Sequence, residues 1–98
     1  MLALFFSKIP LFDSRKWMKE KERDKKDKLK LQKHFGSHLV KLREEKGLTA
    51  AELGRLCYME RSSIARLETG RINPSLFILK KLSVGLEIEL EELFKGFR

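Results

Sequence analysis

RSSIARLETGRINPSL, residues 61 to 76, reads as one short helix that runs into a glycine, an asparagine-proline pair and then a new apolar run. With each helical residue turning by about 100°, Ile64 and Leu67 share one direction and Ser63 and Glu68 flank it. Ser62, Ala65, Arg66 and Thr69 point the opposite way, and Arg61 stands at the exposed N-terminal end. One stripe is an anchor and the other is presented. The presented stripe carries two guanidinium forks, two small hydroxyls and a methyl, chemistry suited to a planar array of hydrogen-bond acceptors. An ordinary amphipathic helix with a solvated face would look similar, so the neighbouring segments decide between them.

Upstream, Leu31, Phe35, Leu39 and Leu42 recur at helical spacing until EKG, where Gly47 stands as a C-cap. Thr49-Ala50-Ala51-Glu52 has the form of a capping box, in which hydroxyl and carboxylate satisfy backbone donors reciprocally, and Leu53, Leu56 and Cys57 follow as an apolar stripe. Only YME separates that helix from Arg61, so the two helices are joined by a tight turn and cross steeply, a helix-turn-helix arrangement. Downstream, Pro74 pushes Asn73 out of helical geometry and Ser75 caps a fourth helix with Leu79 and Leu82 facing inward. EIELEELFKGF predicts a fifth helix with Leu90, Leu93, Phe94 and Phe97 on one side. No segment alternates like a strand. The expected fold is all-α: a compact five-helix domain over residues 31 to 98, preceded by an N-terminal arm over residues 1 to 30.

The charge is uneven. Of the net +8, residues 1 to 33 hold +6 (eleven Lys/Arg, five Asp/Glu) and residues 34 to 98 only +2 (eleven against nine). Such a balance favours a polyanionic partner, nucleic acid or an anionic membrane surface, and says nothing about fold. KEKERDKKDK, residues 19 to 28, contains no apolar residue, so burial cannot hold it and it reads as a linker or a solvated helical extension. Glu22 with Lys26 and Asp24 with Lys28 are i, i+4 pairs, each contributing about 0.2 to 0.5 kcal/mol. The start, MLALFFSKIPLF, lacks a basic leader, is interrupted by Lys8 and Pro10, and falls short of the roughly 20 residues of a spanning helix. It is read as neither signal peptide nor membrane span. Met18, which opens the charged run, is read as an expected alternative start of translation that would make residues 1 to 17 untranslated; mass spectrometry of the intact N-terminus checks this.

With these elements in order, the region from Phe35 to Phe94 resembles the Cro/repressor class of helix-turn-helix domains, which are lambda-repressor-like in fold. LREEKGLTAAEL followed by RSSIARLETGRINPSL is similar to the family pattern of Arg, Gly-Leu-Ser/Thr, Ile-x-x-Ile/Leu-Glu-x-Gly and Asn-Pro-Ser. The resemblance implies that the helix from Arg61 is the recognition helix, placed in the major groove of double-stranded DNA. It implies base contacts from Arg61, Ser62, Ala65 and Arg66, with Glu60 and Ser63 at the edge. Phosphate contacts are implied from the amides at Thr49 and Ala50 and from Arg71, Asn73 and Ser75. Arg43 and Glu68 match an ion pair tying the first helix to the third. Three departures stand out: Ala50 where glutamine is usual, Tyr58 at a turn position usually given to glycine, which predicts a wider or strained turn, and Gly54 where alanine is usual.

One module makes few phosphate contacts, so a homodimer is expected, joined through Phe77, Val84, Ile88 and Phe97 on the last two helices. His34 and His38 have metal-compatible spacing but no third ligand nearby in sequence, and no metal is expected. Cys57 is the lone cysteine, so no internal disulfide forms and a reducing cytoplasm fits, with nucleoid association following from DNA binding. Glu91 and Glu92 diverge by about 100° and imply no catalytic pair. No phosphate loop or nucleophile elbow is present, and neither an enzyme, a cofactor nor a small-molecule ligand is expected. The alternative function is an antitoxin-like or adaptor module whose N-terminal apolar arm, with Trp17, binds a protein partner.

Overall fold

The computed structural model describes residues 13 to 97, so the apolar arm at residues 1 to 12 lies outside the described residues. Four α-helices follow in order: α1 (Ser14–Glu45), α2 (Ala50–Cys57), α3 (Arg61–Glu68) and α4 (Leu76–Leu86). A 3-10 turn, Leu90–Phe94, completes the chain, and no strand occurs among the described residues.

α1 is longer than its apolar pattern. The apolar face begins near residue 31, yet the helix runs unbroken from Ser14, with the Asp13 carboxylate accepting from the Arg15 and Lys16 amides at 3.0 and 3.4 Å. The charged stretch is therefore a helical extension, carried by good helix formers and favourable i, i+4 pairs. It takes the molecule to 61 Å along its longest axis, against 25 and 24 Å across.

Phe35, Leu39, Leu53, Cys57, Ile64, Leu67, Leu82, Leu86 and Leu93 form the core, and Ile64 and Leu67 anchor α3 as their spacing required. Leu31 and Leu56 do not join it: they stand 58% and 49% exposed, at the edges of their helical stripes. α1 crosses the end of α3 at Gly36, where an added Cβ would lie 2.6 Å from the Leu67 carbonyl oxygen. Gly54 serves a similar close approach, nearest to the Met59 carbonyl oxygen in the turn, where an added Cβ would lie 2.6 Å away, with the first amide of α3 at Arg61 3.5 Å away.

The predicted fifth helix is corrected to the 3-10 turn. It is only five residues long, and in a 3-10 turn Leu90 and Leu93, three apart, eclipse on one side and both reach the core.

All four helices end in the same motif, in which two amides bond back to carbonyls of the last turn and one residue takes a left-handed conformation. After α1 and α3 that residue is glycine, Gly47 (φ +69°) and Gly70 (φ +75°); after α2 and α4 it is Tyr58 (φ 55°) and Glu87 (φ 56°). The α2 turn is thus of ordinary width: the Met59 amide reaches Gly54 O at 2.8 Å, and a side chain bears the left-handed cost. Tyr58→Gly should raise stability by about 0.5 to 1 kcal/mol net of the glycine's extra unfolded-state entropy. Thermal melting at low concentration checks this; an unchanged or lower midpoint contradicts it.

Candidate nucleic-acid interface

The helix-turn-helix is α2 and α3 with the turn Tyr58–Glu60. Arg61, Ser62, Ala65 and Arg66 are all exposed on one side of α3, while Ile64 and Leu67 are 0% and 1% exposed on the other. Among the described residues neither the Arg61 nor the Arg66 guanidinium forms a salt bridge or hydrogen bond, so both forks stay available. Thr69, also on the presented stripe, is spent locally: its hydroxyl donates to Ala65 O at 2.9 Å. That leaves one free hydroxyl on the stripe, Ser62, rather than two.

At the α2 N-terminus the Thr49 hydroxyl accepts from the Glu52 amide and the Glu52 carboxylate accepts from the Thr49 amide, both at 3.1 Å. Hydrogen bonding to the carboxylate, first from the Thr49 amide and then from the Thr49 side chain, holds the Glu52 carboxyl below the usual carboxylate range. The Ala50 and Ala51 amides, in the first turn, have no intrahelical acceptor and point out along the helix axis. An anion there would meet two amides and a helix dipole, against one nearby carboxylate. Across α3, Arg71, Asn73 and Ser75 are exposed on the loop before α4. Ser75 Oγ accepts from the Ile78 amide at 3.2 Å as the α4 cap, which leaves its proton free to donate outward.

Arg43 and Glu68 bind α1 to α3. Arg43 Nε donates to both Glu68 carboxylate oxygens, at 2.9 and 3.1 Å, and Arg43 Nη1 donates to Leu48 O at 2.7 Å. Their side chains are 17% and 9% exposed. The Glu68 hydrogen bonds raise the Arg43 pKa above its ordinary value, so this guanidinium keeps its charge throughout the accessible range. The backbone entering α2 and the helix that presents the arginines are thereby fixed to the same guanidinium.

The expected dimer residues divide. Phe77 and Val84 are 71% and 61% exposed on α4, whereas Ile88 and Phe97 pack against the protein's own core. Phe97 meets His34 edge-on with ring centroids 4.4 Å apart, and His38 Nε2 donates to Glu92 O at 2.8 Å. The two histidines with metal-compatible spacing are thus fastenings for the C-terminal segment. Sequence reading missed Leu56 and Tyr58, which adjoin Phe77 and Val84 in one shallow apolar surface. The periodicity that put Leu56 on the core stripe hid it. Cys57 is buried beneath, and desolvation pushes its thiol pKa up.

The side chains Leu31, Phe35, Leu79, Phe94 and Phe97 line an open, almost wholly apolar groove of about 330 Å³ between α1, α4 and the C-terminal segment. Among the described residues no helix is long and apolar enough to cross a membrane.

Comparison with known proteins agrees with this geometry. A helix-turn-helix family model, HTH_3, matches residues 39–93. Control protein C.MunI from Mycoplasma sp is 41% identical over 61 residues, spanning 61% of this chain and 82% of that protein. The uncharacterized HTH-type transcriptional regulator y4dJ of Sinorhizobium fredii is 35% identical over 63 residues, 64% of this chain and 82% of its own. Among solved structures, the restriction-modification controller protein C.AhdI from Aeromonas hydrophila superposes with a TM-score of 0.63 at 40% identity, over 64% of this chain and 96% of that one. With both helices of the motif, the anchored α3 and this match over more than half its length, the chain belongs to the Cro/C1-type helix-turn-helix family of DNA-binding transcriptional regulators.

Proposed function

We propose that the protein is a homodimeric, sequence-specific regulator that reads the major groove of double-stranded DNA with α3. The observation that carries this reading is the unpaired state of Arg61 and Arg66 on the exposed side of a helix whose other side is fully buried. A helix of eight residues, about 12 Å long, fits the groove, and arginine forks match the O6 and N7 acceptors of guanine. Ser62 adds a hydroxyl and Ala65 a methyl that suits thymine. The Ala50 and Ala51 amides and the Thr49 hydroxyl hold a phosphate on one side of the groove; Arg71, Asn73 and Ser75 hold the backbone on the other. No side chain replaces the glutamine usual at Ala50, so the amides carry that contact alone.

The dimer forms through Phe77 and Val84, extended by Leu56 and Tyr58 rather than by Ile88 and Phe97. Exposed apolar surface of this extent marks a partner, and two-fold pairing sets two α3 helices one duplex turn, about 34 Å, apart. Phe77→Glu with Val84→Glu is expected to leave a folded monomer in sedimentation at tens of micromolar, where the unaltered protein sediments as a dimer. A monomer in both cases removes this interface.

Two relatives near 40% identity are a control protein and a restriction-modification controller, which supports genes of a restriction-modification system as the regulated set. Selection of bound fragments from random DNA at stated salt tests the whole reading. An inverted repeat containing guanines is expected; recovery of no preferred sequence overturns it.

A further inference from the structure

α1 carries a second, separate pattern in its charged extension. Arg15, Lys19, Arg23, Lys26, Lys30 and Lys33 fall at intervals of four, four, three, four and three residues. On a helix these positions occupy about 80° of arc, and no acidic residue lies within it. Glu22 and Asp27 border this stripe on its two sides, Glu20 and Asp24 lie farther round, and Lys21, Lys25 and Lys28 stand on the opposite side of the helix. All six cations are exposed, and none forms a salt bridge among the described residues.

The stripe has a fixed root. Gln32 Nε2 donates to Gly70 O at 2.9 Å, and Lys33 packs so closely on Gly70 that an added Cβ would lie 2.8 Å from the Lys33 Cα. Gly70 is followed directly by Arg71, on the loop assigned to the phosphate backbone. The row of cations therefore starts at that loop and leads away from it on a continuous helix, over 19 residues from Lys33 back to Arg15, a rise of about 27 Å.

We infer that, given the DNA-reading function proposed above, this face of α1 is a second DNA-binding surface, which lies along the phosphates flanking the half-site read by α3. A length of about 27 Å matches about eight base pairs at 3.4 Å each. Long flexible ammonium and guanidinium groups on one side of a rod suit a regular line of phosphates, and they add affinity without base preference. Outside the stripe, Lys16, Lys21, Lys25 and Lys28 are matched by Glu20, Glu22, Asp24 and Asp27, so the net positive charge of the rod sits on the stripe and orients that side to the duplex.

The test compares two variants of the full chain that lose the same charge. Lys19, Lys26 and Lys30→Gln removes three cations of the stripe; Lys21, Lys25 and Lys28→Gln removes three outside it. Affinity for a selected operator is measured against salt, on duplexes with and without about ten flanking base pairs per side. The stripe variant should reduce the salt slope by about 0.9 for each phosphate no longer neutralised and abolish the gain from flanking DNA, with sequence preference unchanged. The control variant should keep slope and flank gain. Equal losses in both, or a flank gain absent from the unaltered protein, overturns the inference and leaves the proposed function standing. Loss of binding by the stripe variant only to phosphatidylserine vesicles also overturns it, assigning the face to a lipid surface. Absence of any sequence preference in the unaltered protein is the distinct result that removes the function itself.

Discussion

Replacing Glu68 by alanine should remove about 3 kcal/mol of folding stability, a third or more of the total. The carboxylate is 9% exposed and takes both hydrogen bonds from Arg43 Nε, so its removal leaves a largely desolvated guanidinium with Leu48 O as its remaining partner. Breaking a buried pair in this way costs about 3 to 5 kcal/mol, and the 17% exposure of Arg43, which admits some water, places the expectation near the lower end. A domain of this size has roughly 3 to 9 kcal/mol in total. Chemical denaturation read by circular dichroism measures the loss. DNA binding should fall in parallel and return with conditions that restore folding. A variant that melts like the unaltered protein but no longer binds DNA would move Glu68 from structure to recognition. The double replacement Arg43→Met with Glu68→Leu is expected to recover most of the stability, because it leaves no charge buried without a partner.

The second large effect is on recognition. Arg61→Ala together with Arg66→Ala should leave melting within about 0.5 kcal/mol of the unaltered protein, since both side chains are exposed and unpaired. Specific binding should nonetheless weaken by about 1 to 3 kcal/mol for each guanine that loses its arginine, up to roughly four orders of magnitude for two well-matched guanines. The distinguishing readout is the ratio of operator to random-sequence affinity at one salt concentration. That ratio should collapse while residual non-specific binding persists through the remaining cations. A double variant that keeps its preference would place base reading elsewhere on the surface.

Much of this was legible in the residues themselves. The two-residue anchor of α3, the capping box at Thr49, the glycines closing α1 and α3, and the cap at Ser75 each have a local chemical signature, and the structure uses all of them. The left-handed turn at Tyr58 was legible only through the resemblance, which marks its position as usually glycine, and the one at Glu87 was not legible at all. Nothing in either residue announces a left-handed backbone, which tertiary packing imposes against local preference. Helical periodicity also misassigned Leu31 and Leu56, because a stripe's edge and its centre differ only in what packs over them. The C-terminal segment read as a helix since Leu90, Leu93, Phe94 and Phe97 satisfy helical spacing; its shortness and the clasp of His34 and His38 on it are three-dimensional facts. The exposure of Arg61, Ser62, Ala65 and Arg66 was the most readable part, because exposed side chains on an anchored helix depend least on distant neighbours.

At Gly36 α3 rests backbone to backbone on α1, with no side chain between them to act as a cushion. A cushioned helix can tilt or sink by a fraction of an ångström and so forgive a wrong base. Here such adjustment is blocked by the steep repulsion between main-chain atoms, and if α3 reads the groove as proposed, a mismatched site would have to be accommodated by bending the duplex. Under the proposed reading, discrimination would have a mechanical component: the stiffness of the DNA around an imperfect operator would count against it, together with the hydrogen bonds that its bases fail to make.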